Sequence, residues 1–96
     1  MSGPNEIIHQ STRLRMMATL TALGARELLE FNRLKAVLEV SDGNMSTHLA
    51  ALEKAGYIQI AKDFVGKKPR TQIGPTREGR RAFQDHVTYL RSLLEP

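Results

Sequence analysis

The residues of this chain that could do chemistry are better suited to holding a ligand than to breaking a bond. Cysteine is absent, which removes disulfides, thiol nucleophiles and thiolate metal ligands together. The three histidines, His9, His48 and His86, stand far apart, and none belongs to a two-residue ligand spacing such as HxxxH. Carboxylates are scattered, with no pair set beside a His or Ser in a pattern that implies acid–base or nucleophilic work. Gly74 and Gly79 fit neither a phosphate-binding P-loop nor a dinucleotide fingerprint. These absences point to a protein that is not an enzyme and uses no cofactor and no metal.

What remains is the chemistry of hydrogen bonds and fixed charge. The stretch SDGNMSTHLAALEKAGYI, residues 41–58, reads as a capped helix ended by Gly56. With successive residues 100° apart, Met45, Leu49 and Leu52 share its buried side. The opposite side holds Gly43, Thr47, Ala50, Ala51 and Lys54, flanked by Asn44 and Ser46. An ordinary solvated helix would carry Glu, Lys, Gln and Arg there. Small side chains let a backbone approach another surface closely, and Asn, Ser and Thr in a first turn can bond phosphates or base edges. The same face would also suit packing against another helix of the chain itself. His48, one turn after Met45, reads as a packed residue that orients the helix.

Charge favours an anionic partner. The net charge is +4 and the pI about 9.9. Residues 43–81 hold eight Lys and Arg against three Asp and Glu, a balance of +5, leaving −1 for the rest of the chain. Lys62, Lys67, Lys68 and Arg70 flank a turn containing Gly66, where they could neutralise phosphates.

The elements that must position these groups follow from local pattern. At 96 residues the chain fits one domain with a modest core. Residues 1–10 read as a loose lead-in, 11–75 as the binding domain and 76–96 as a terminal helix. Ser11 caps a first helix over 11–23, with Met16 and Met17 as core rather than pocket residues. A brief extended segment passes through Leu28 and Leu29, and Asn32 caps a second helix with Phe31, Leu34 and Leu38 on its buried stripe. A tight turn over 40–43 leads into the third helix, 42–55. A half-buried strand over 57–64, a loop over 65–69 and a returning strand over 70–73 form a hairpin. Thr76 caps the last helix. No apolar run reaches the ~18–20 residues of a membrane span, and residues 1–10 lack a secretory signal, so the expected location is the cytoplasm.

The segments FNRLKAVLEVSDGNMSTHLAALEKAGYI and GKKPRTQIGPTREGRRAF together resemble the winged-helix transcriptional regulators related to the MarR and ArsR families. RLRMMATL is similar to the first helix of the small members, which consist of little more than the winged helix and a terminal helix. The resemblance implies a mainly α, α+β winged helix-turn-helix with a two-stranded hairpin wing. It makes 42–55 the recognition helix, with Asn44, Ser46, Thr47, Ala50, Ala51 and Lys54 in the major groove. It makes 64–71 the wing, with Lys62, Lys67, Lys68, Arg70 and Thr71 on backbone or minor groove. Members of these families act as homodimers on semi-palindromic operators, so the implied function is sequence-specific regulation of transcription. Metal sensing does not carry over, because its cysteine ligands are missing.

The last helix would be about 28 Å long, more than a small domain can cover. Phe83, Val87, Leu90, Leu93 and Leu94, with Ile7 and Ile8 from the lead-in, are therefore expected to meet a second copy, and the twofold would select an inverted repeat; the alternative is that the stripe folds back on its own domain. The alternative to DNA binding is a winged helix whose small-residue face takes a partner protein. An RNA reader is less favoured, since the five aromatic residues fall mostly at apolar-periodic positions rather than on a stacking platform. Nothing in the sequence marks an effector site.

Overall fold

A computed structural model describes residues 3–95; Met1 and Ser2 of the lead-in and Pro96 of the terminal segment lie outside the described residues. The order is α1 (Ser11–Thr21), β1 (Leu29–Glu30), α2 (Phe31–Leu38), α3 (Asp42–Lys54), β2 (Ile58–Val65), β3 (Lys68–Pro75) and α4 (Arg77–Leu94). The strands form one antiparallel sheet in the order β1-β3-β2. This is a mainly helical α+β winged-helix fold.

Caps explain most boundaries. Ser41 Oγ accepts from Asn44 N at 3.2 Å, starting α3, and Gly56 leaves its end with φ 81°. Thr76 Oγ1 accepts from Gly79 N at 2.9 Å while donating to Gly56 O at 2.6 Å, so one hydroxyl starts α4 and ties it to the end of α3. A Cβ on Gly79 would lie 1.9 Å from Tyr57 O. The glycine is there for close helix–strand approach.

Three expected helix boundaries shift. Gln10 rather than Ser11 caps α1, its Oε1 accepting from Arg13 N at 2.9 Å. The helix stops at Thr21, before Leu23, because Arg80 of α4 takes over its terminal carbonyls, donating to Thr21 O, Leu23 O and Gly24 O at 3.0, 3.1 and 3.2 Å. Asn32 does not cap α2. Pairing of Leu29 with Ile73 and Glu30 with Gln72 holds the chain extended up to Glu30, and the helix begins at once, uncapped by any side chain. At its far end Glu39 sits in the left-handed region with φ 54°, shortening the expected turn to Val40 and Ser41 and placing Gly43 inside α3. A 2.5 Å ion pair between Lys35 and Asp42 spans that turn.

The hairpin is tighter than expected. Val65 pairs with Lys68, so the turn is Gly66–Lys67 and both Lys68 and Pro69 lie in the returning strand. Gly66 has φ 64° and Lys67 has no positive φ, the arrangement of a type II′ turn whose twist matches the flanking strands. Pro69 is tolerated because β1 covers β3 only at Gln72 and Ile73.

The core joins Met16, Met17 and Leu20 of α1 to Leu34, Leu38, Met45, Leu49 and Leu52 of the next two helices and to Ile58 and Ile73 of the sheet. Both methionines are core residues. Ile8 also belongs to this core with 0% exposure, which corrects its expected place in a dimer interface: the side chain has no surface left for a second chain. Nor is the described lead-in loose. Asn5 Oδ1 accepts from the N–H groups of Ile7 and Ile8, both at 2.9 Å, Asn5 Nδ2 donates to Tyr57 Oη at 2.9 Å, and its own N–H donates to His86 Nδ1 at 3.0 Å. Local periodicity could not show this, because residues 5–10 form turns held by partners more than fifty positions away.

α4 is packed over its first half and bare at its end. Phe83 is partly buried against the chain's own core, whereas Leu93 and Leu94 are 60% and 81% exposed. The radius of gyration, 14.0 Å, exceeds the ~12.5 Å of a compact chain this long, as two projecting ends require. No helix among the described residues is long and apolar enough to cross a membrane.

Candidate nucleic-acid interface

The small-residue face of α3 lies open. Asn44, Ser46, Thr47, Ala50 and Lys54 are exposed and Ala51 is half-buried, while Met45, Leu49 and Leu52 anchor the opposite side. Thr47 Oγ1 donates its proton to Gly43 O at 3.0 Å. Toward a ligand that hydroxyl can only accept, leaving the Asn44 amide and the Ser46 hydroxyl as the donors of the first turns. The same turns bring the unpaired N–H groups of a helix N-terminus, which favour anions.

Between α3 and the hairpin runs an open groove of about 360 Å³ lined by Phe31, Ser46, Leu49, Ala50, Glu53, Ile60, Lys62 and Thr71. Register explains why these residues meet. Ile58, Ile60, Lys62 and Phe64 share one face of β2, and their partners Pro75, Ile73, Thr71 and Pro69 share it on β3. Near the base that face is apolar and covers the core; farther out it turns polar and continues the surface of α3.

The other face of the hairpin carries Asp63 and Arg70. They are register partners, and Arg70 forks onto the carboxylate with Nε–Oδ1 at 2.9 Å and Nη2–Oδ2 at 2.6 Å. The hydrogen bonds from Arg70 hold the Asp63 carboxyl below its usual range, and the Asp63 bond raises Arg70 in return. Arg70, expected to face DNA, is therefore already engaged by a carboxylate. The signal was available: in a two-residue turn at 66–67, positions 63 and 70 must face each other.

The ion pairs among the described residues are Lys35–Asp42 and Asp63–Arg70. Lys54, Lys62, Lys67 and Lys68 stand exposed, with no carboxylate partner among the described residues. Arg80 is withdrawn from the basic region, since it serves the end of α1.

His48 sits half-buried at the edge of α3, its Nδ1 3.3 Å from Arg13 Nη1. Partial burial, and after it the Arg13 charge, lower its pKa, so a neutral ring accepting from Arg13 orients the helix. His9 and His86, remote in sequence, meet edge to face with centroids 5.3 Å apart, and Tyr89 stacks on His86 at 6.0 Å. His86 is 1% exposed. Burial first, then the His9 charge, push its pKa down, and Nε2 has no hydrogen-bond partner. Among the described residues no three His, Asp or Glu side chains gather to hold a metal ion.

With this geometry in hand, similarity to known proteins is informative. Residues 12–94 match the family described as the winged helix DNA-binding domain. An uncharacterized protein of Methanocaldococcus jannaschii, MJ0432, is 34% identical over 82 residues, which cover 85% of this chain and 86% of that protein. Among solved structures, a transcriptional regulator homologue from Pyrococcus horikoshii OT3 superposes with TM-score 0.84 at 24% identity, covering 95% of this chain and 87% of its own. MepR of S. aureus, solved as a DNA complex, gives TM-score 0.76 at 18% identity over 94% of this chain and 71% of its own.

Proposed function

The chain belongs to the winged helix DNA-binding domain family, and from that premise we propose that it is a regulator of transcription that binds duplex DNA sequence-specifically as a homodimer. The observation that carries this reading is continuity. The open face of α3 passes across the groove to Lys62 and Thr71, and the hairpin runs on beyond them to Lys67 at its turn and Lys68 on its other face, both exposed. The S. aureus relative solved with DNA has the same fold.

In this reading the first turns of α3 enter the major groove. Asn44 and Ser46 donate to base or phosphate acceptors, and Thr47 accepts from an exocyclic amine while its methyl group meets thymine. Ala50 and Ala51 keep the helix close to the bases. Lys54, Lys62, Lys67 and Lys68 neutralise phosphates and release their counterions. Thr71 lines the groove behind Lys62. Arg70 takes a supporting part: its bond to Asp63 stiffens the wing and leaves it little charge to offer.

Dimerisation is proposed through the bare end of α4, where Leu93 and Leu94 are exposed and Val87 and Leu90 half-buried. Phe83 and Ile7, which pack on their own core, would contribute their remaining surface. A twofold through this helix would set two α3 helices about 34 Å apart on an inverted repeat. The protein would work where the DNA is, in the cytoplasm, without catalysis.

Selection of bound sites from a random duplex library tests the reading. An enriched inverted repeat with half-sites about one helical turn apart is the expected result. No retention of any duplex even at low salt would overturn it and favour a protein partner for the α3 face. Asn44→Ala should then remove about 1–3 kcal/mol of discrimination at one base pair while leaving non-specific affinity in place.

A further inference from the structure

Lys62, Lys67 and Lys68 all approach DNA from one flank of α3. On that flank Ser46, Ala50 and Glu53 line the groove shared with Lys62. Asn44, His48 and Ala51 form the opposite flank at the same i, i+4, i+7 spacing, with Gly43, Thr47 and Lys54 between the two. A helix with its side chains is about 10–12 Å across and the major groove about 12 Å wide, so a recognition helix brings both flanks against walls of phosphate. The flank away from the hairpin has a cation too, and it comes from α1. Arg13 Nε donates to Ile7 O at 2.6 Å, and Arg13 Nη1 lies 3.3 Å from His48 Nδ1. No ion pair among the described residues involves Arg13.

A guanidinium only donates, so His48 Nδ1 accepts from Arg13 and the proton of the neutral ring sits on Nε2. His48 Nε2 and Arg13 Nη2 have no hydrogen-bond partner among the described residues. Neither is buried, since His86 Nε2 is the one buried side-chain polar atom without a partner among those residues. Two adjacent side chains thus hold open donors, one of them charged, and both are fixed by the bond between them. We propose that Arg13 and His48 form a second phosphate anchor, which takes a backbone phosphate on the wall of the major groove away from the hairpin. Arg13 supplies the charge. His48 holds the guanidinium against the flank of α3 and adds a neutral N–H of its own. Because these bonds already restrain Arg13 in the free protein, little side-chain freedom is lost on binding. This inference rests on the DNA-binding reading and adds α1 to the elements that touch the duplex.

The anchor predicts different salt signatures for its two members. Arg13→Gln should weaken binding of a labelled random-sequence duplex about tenfold at about 50 mM salt and flatten the log–log slope by about one unit for each bound protomer. Arg13→Lys keeps the charge and should keep the slope. His48→Ala removes a neutral donor, so it should weaken binding at every salt concentration with the slope unchanged, and His48→Gln should restore most of the affinity. On a duplex selected by the unaltered chain, phosphates replaced one at a time by neutral methylphosphonates locate the contact. One position on the groove wall away from the hairpin should cost the unaltered chain affinity and cost Arg13→Gln nothing. Circular dichroism will establish that each variant folds; if Arg13→Gln does not, His48→Ala serves for the same comparison. An unchanged slope in folded Arg13→Gln, or no such phosphate position, overturns the anchor and leaves the DNA-binding reading intact. A slope that flattens equally in Arg13→Lys marks Arg13 as structural and also overturns it. Failure of the unaltered chain to bind any duplex removes both.

Discussion

The two sides of this molecule treat their polar groups in opposite ways. Where the lead-in lies on α4, a set of donors and acceptors is closed on partners within the chain, with His86 Nε2 left out. Asn5 alone makes five hydrogen bonds, to Ile7, Ile8, His9, Tyr57 and His86, and Arg80 seals the end of α1. On the α3 and wing side, Asn44, Ser46, Lys54, Lys62, Lys67 and Lys68 reach into solvent. A closed network contributes to stability because breaking it strands buried donors. An open set adds little to the fold and is positioned to satisfy something else. Mutations on the two sides should therefore separate stability from binding.

The largest expected effect is on the closed side. Asn5→Ala removes the acceptor of two backbone N–H groups and the partner of Tyr57, and loosens the segment that seats Ile8 in the core. We expect a loss of about 2–3 kcal/mol in urea unfolding, with duplex affinity unchanged at temperatures where the variant is folded. A binding defect at full folding would break the separation. On the open side, Lys67→Ala with Lys68→Ala should leave the unfolding midpoint in place. It should flatten the salt slope of DNA binding by about two units for each bound protomer, for all sequences alike.

Acid should act first through the closed side. His86 is held below its ordinary 6.5 by burial and His9, so the unfolded chain takes up its proton more readily than the folded one. The stability contributed by the neutral ring is full above about pH 6.5 and is lost as the pH falls from there toward the folded value. Protonation would also set an N–H of His86 against the N–H of Asn5, which now donates to Nδ1. His48, shifted the same way, adds to the loss. The Asp63 carboxyl, lowered from 3.8 by Arg70, acts only in more acid solution. Unfolding midpoints measured between pH 7.5 and 5 should fall with pH, and His86→Phe should blunt the decline.

The smallest effect sharpens the comparison at its one exception, the closed pair on the open side. Asp63→Asn should change stability by less than about 0.5 kcal/mol, as exposed ion pairs do. It should also free Arg70 for phosphate and steepen the salt slope by about one unit for each bound protomer. An unchanged slope would mean that Arg70 does not reach the DNA even when released.

Much of this was legible in the sequence because it depends on neighbours. The buried positions of α3 follow from a period of 3.6, the start of α3 from a cap at Ser41 or Asp42, that of α4 from Thr76, and the wing from Gly66 between alternating strands. Lysine clustering marked the open side, and the winged-helix resemblance supplied the topology that joins these pieces.

Tertiary structure decided what distant residues do to each other. Ile8 looked free for a second chain and proved to be core. Arg70 looked available and is held by Asp63; Arg80 looked like part of a basic patch and completes α1. His9 and His86, separated by nearly the whole chain, share one packed site. Local signals act through the backbone over a few residues, whereas these outcomes depend on strand register and on which helix crosses which. A one-residue shift of either would have given the same side chains other partners.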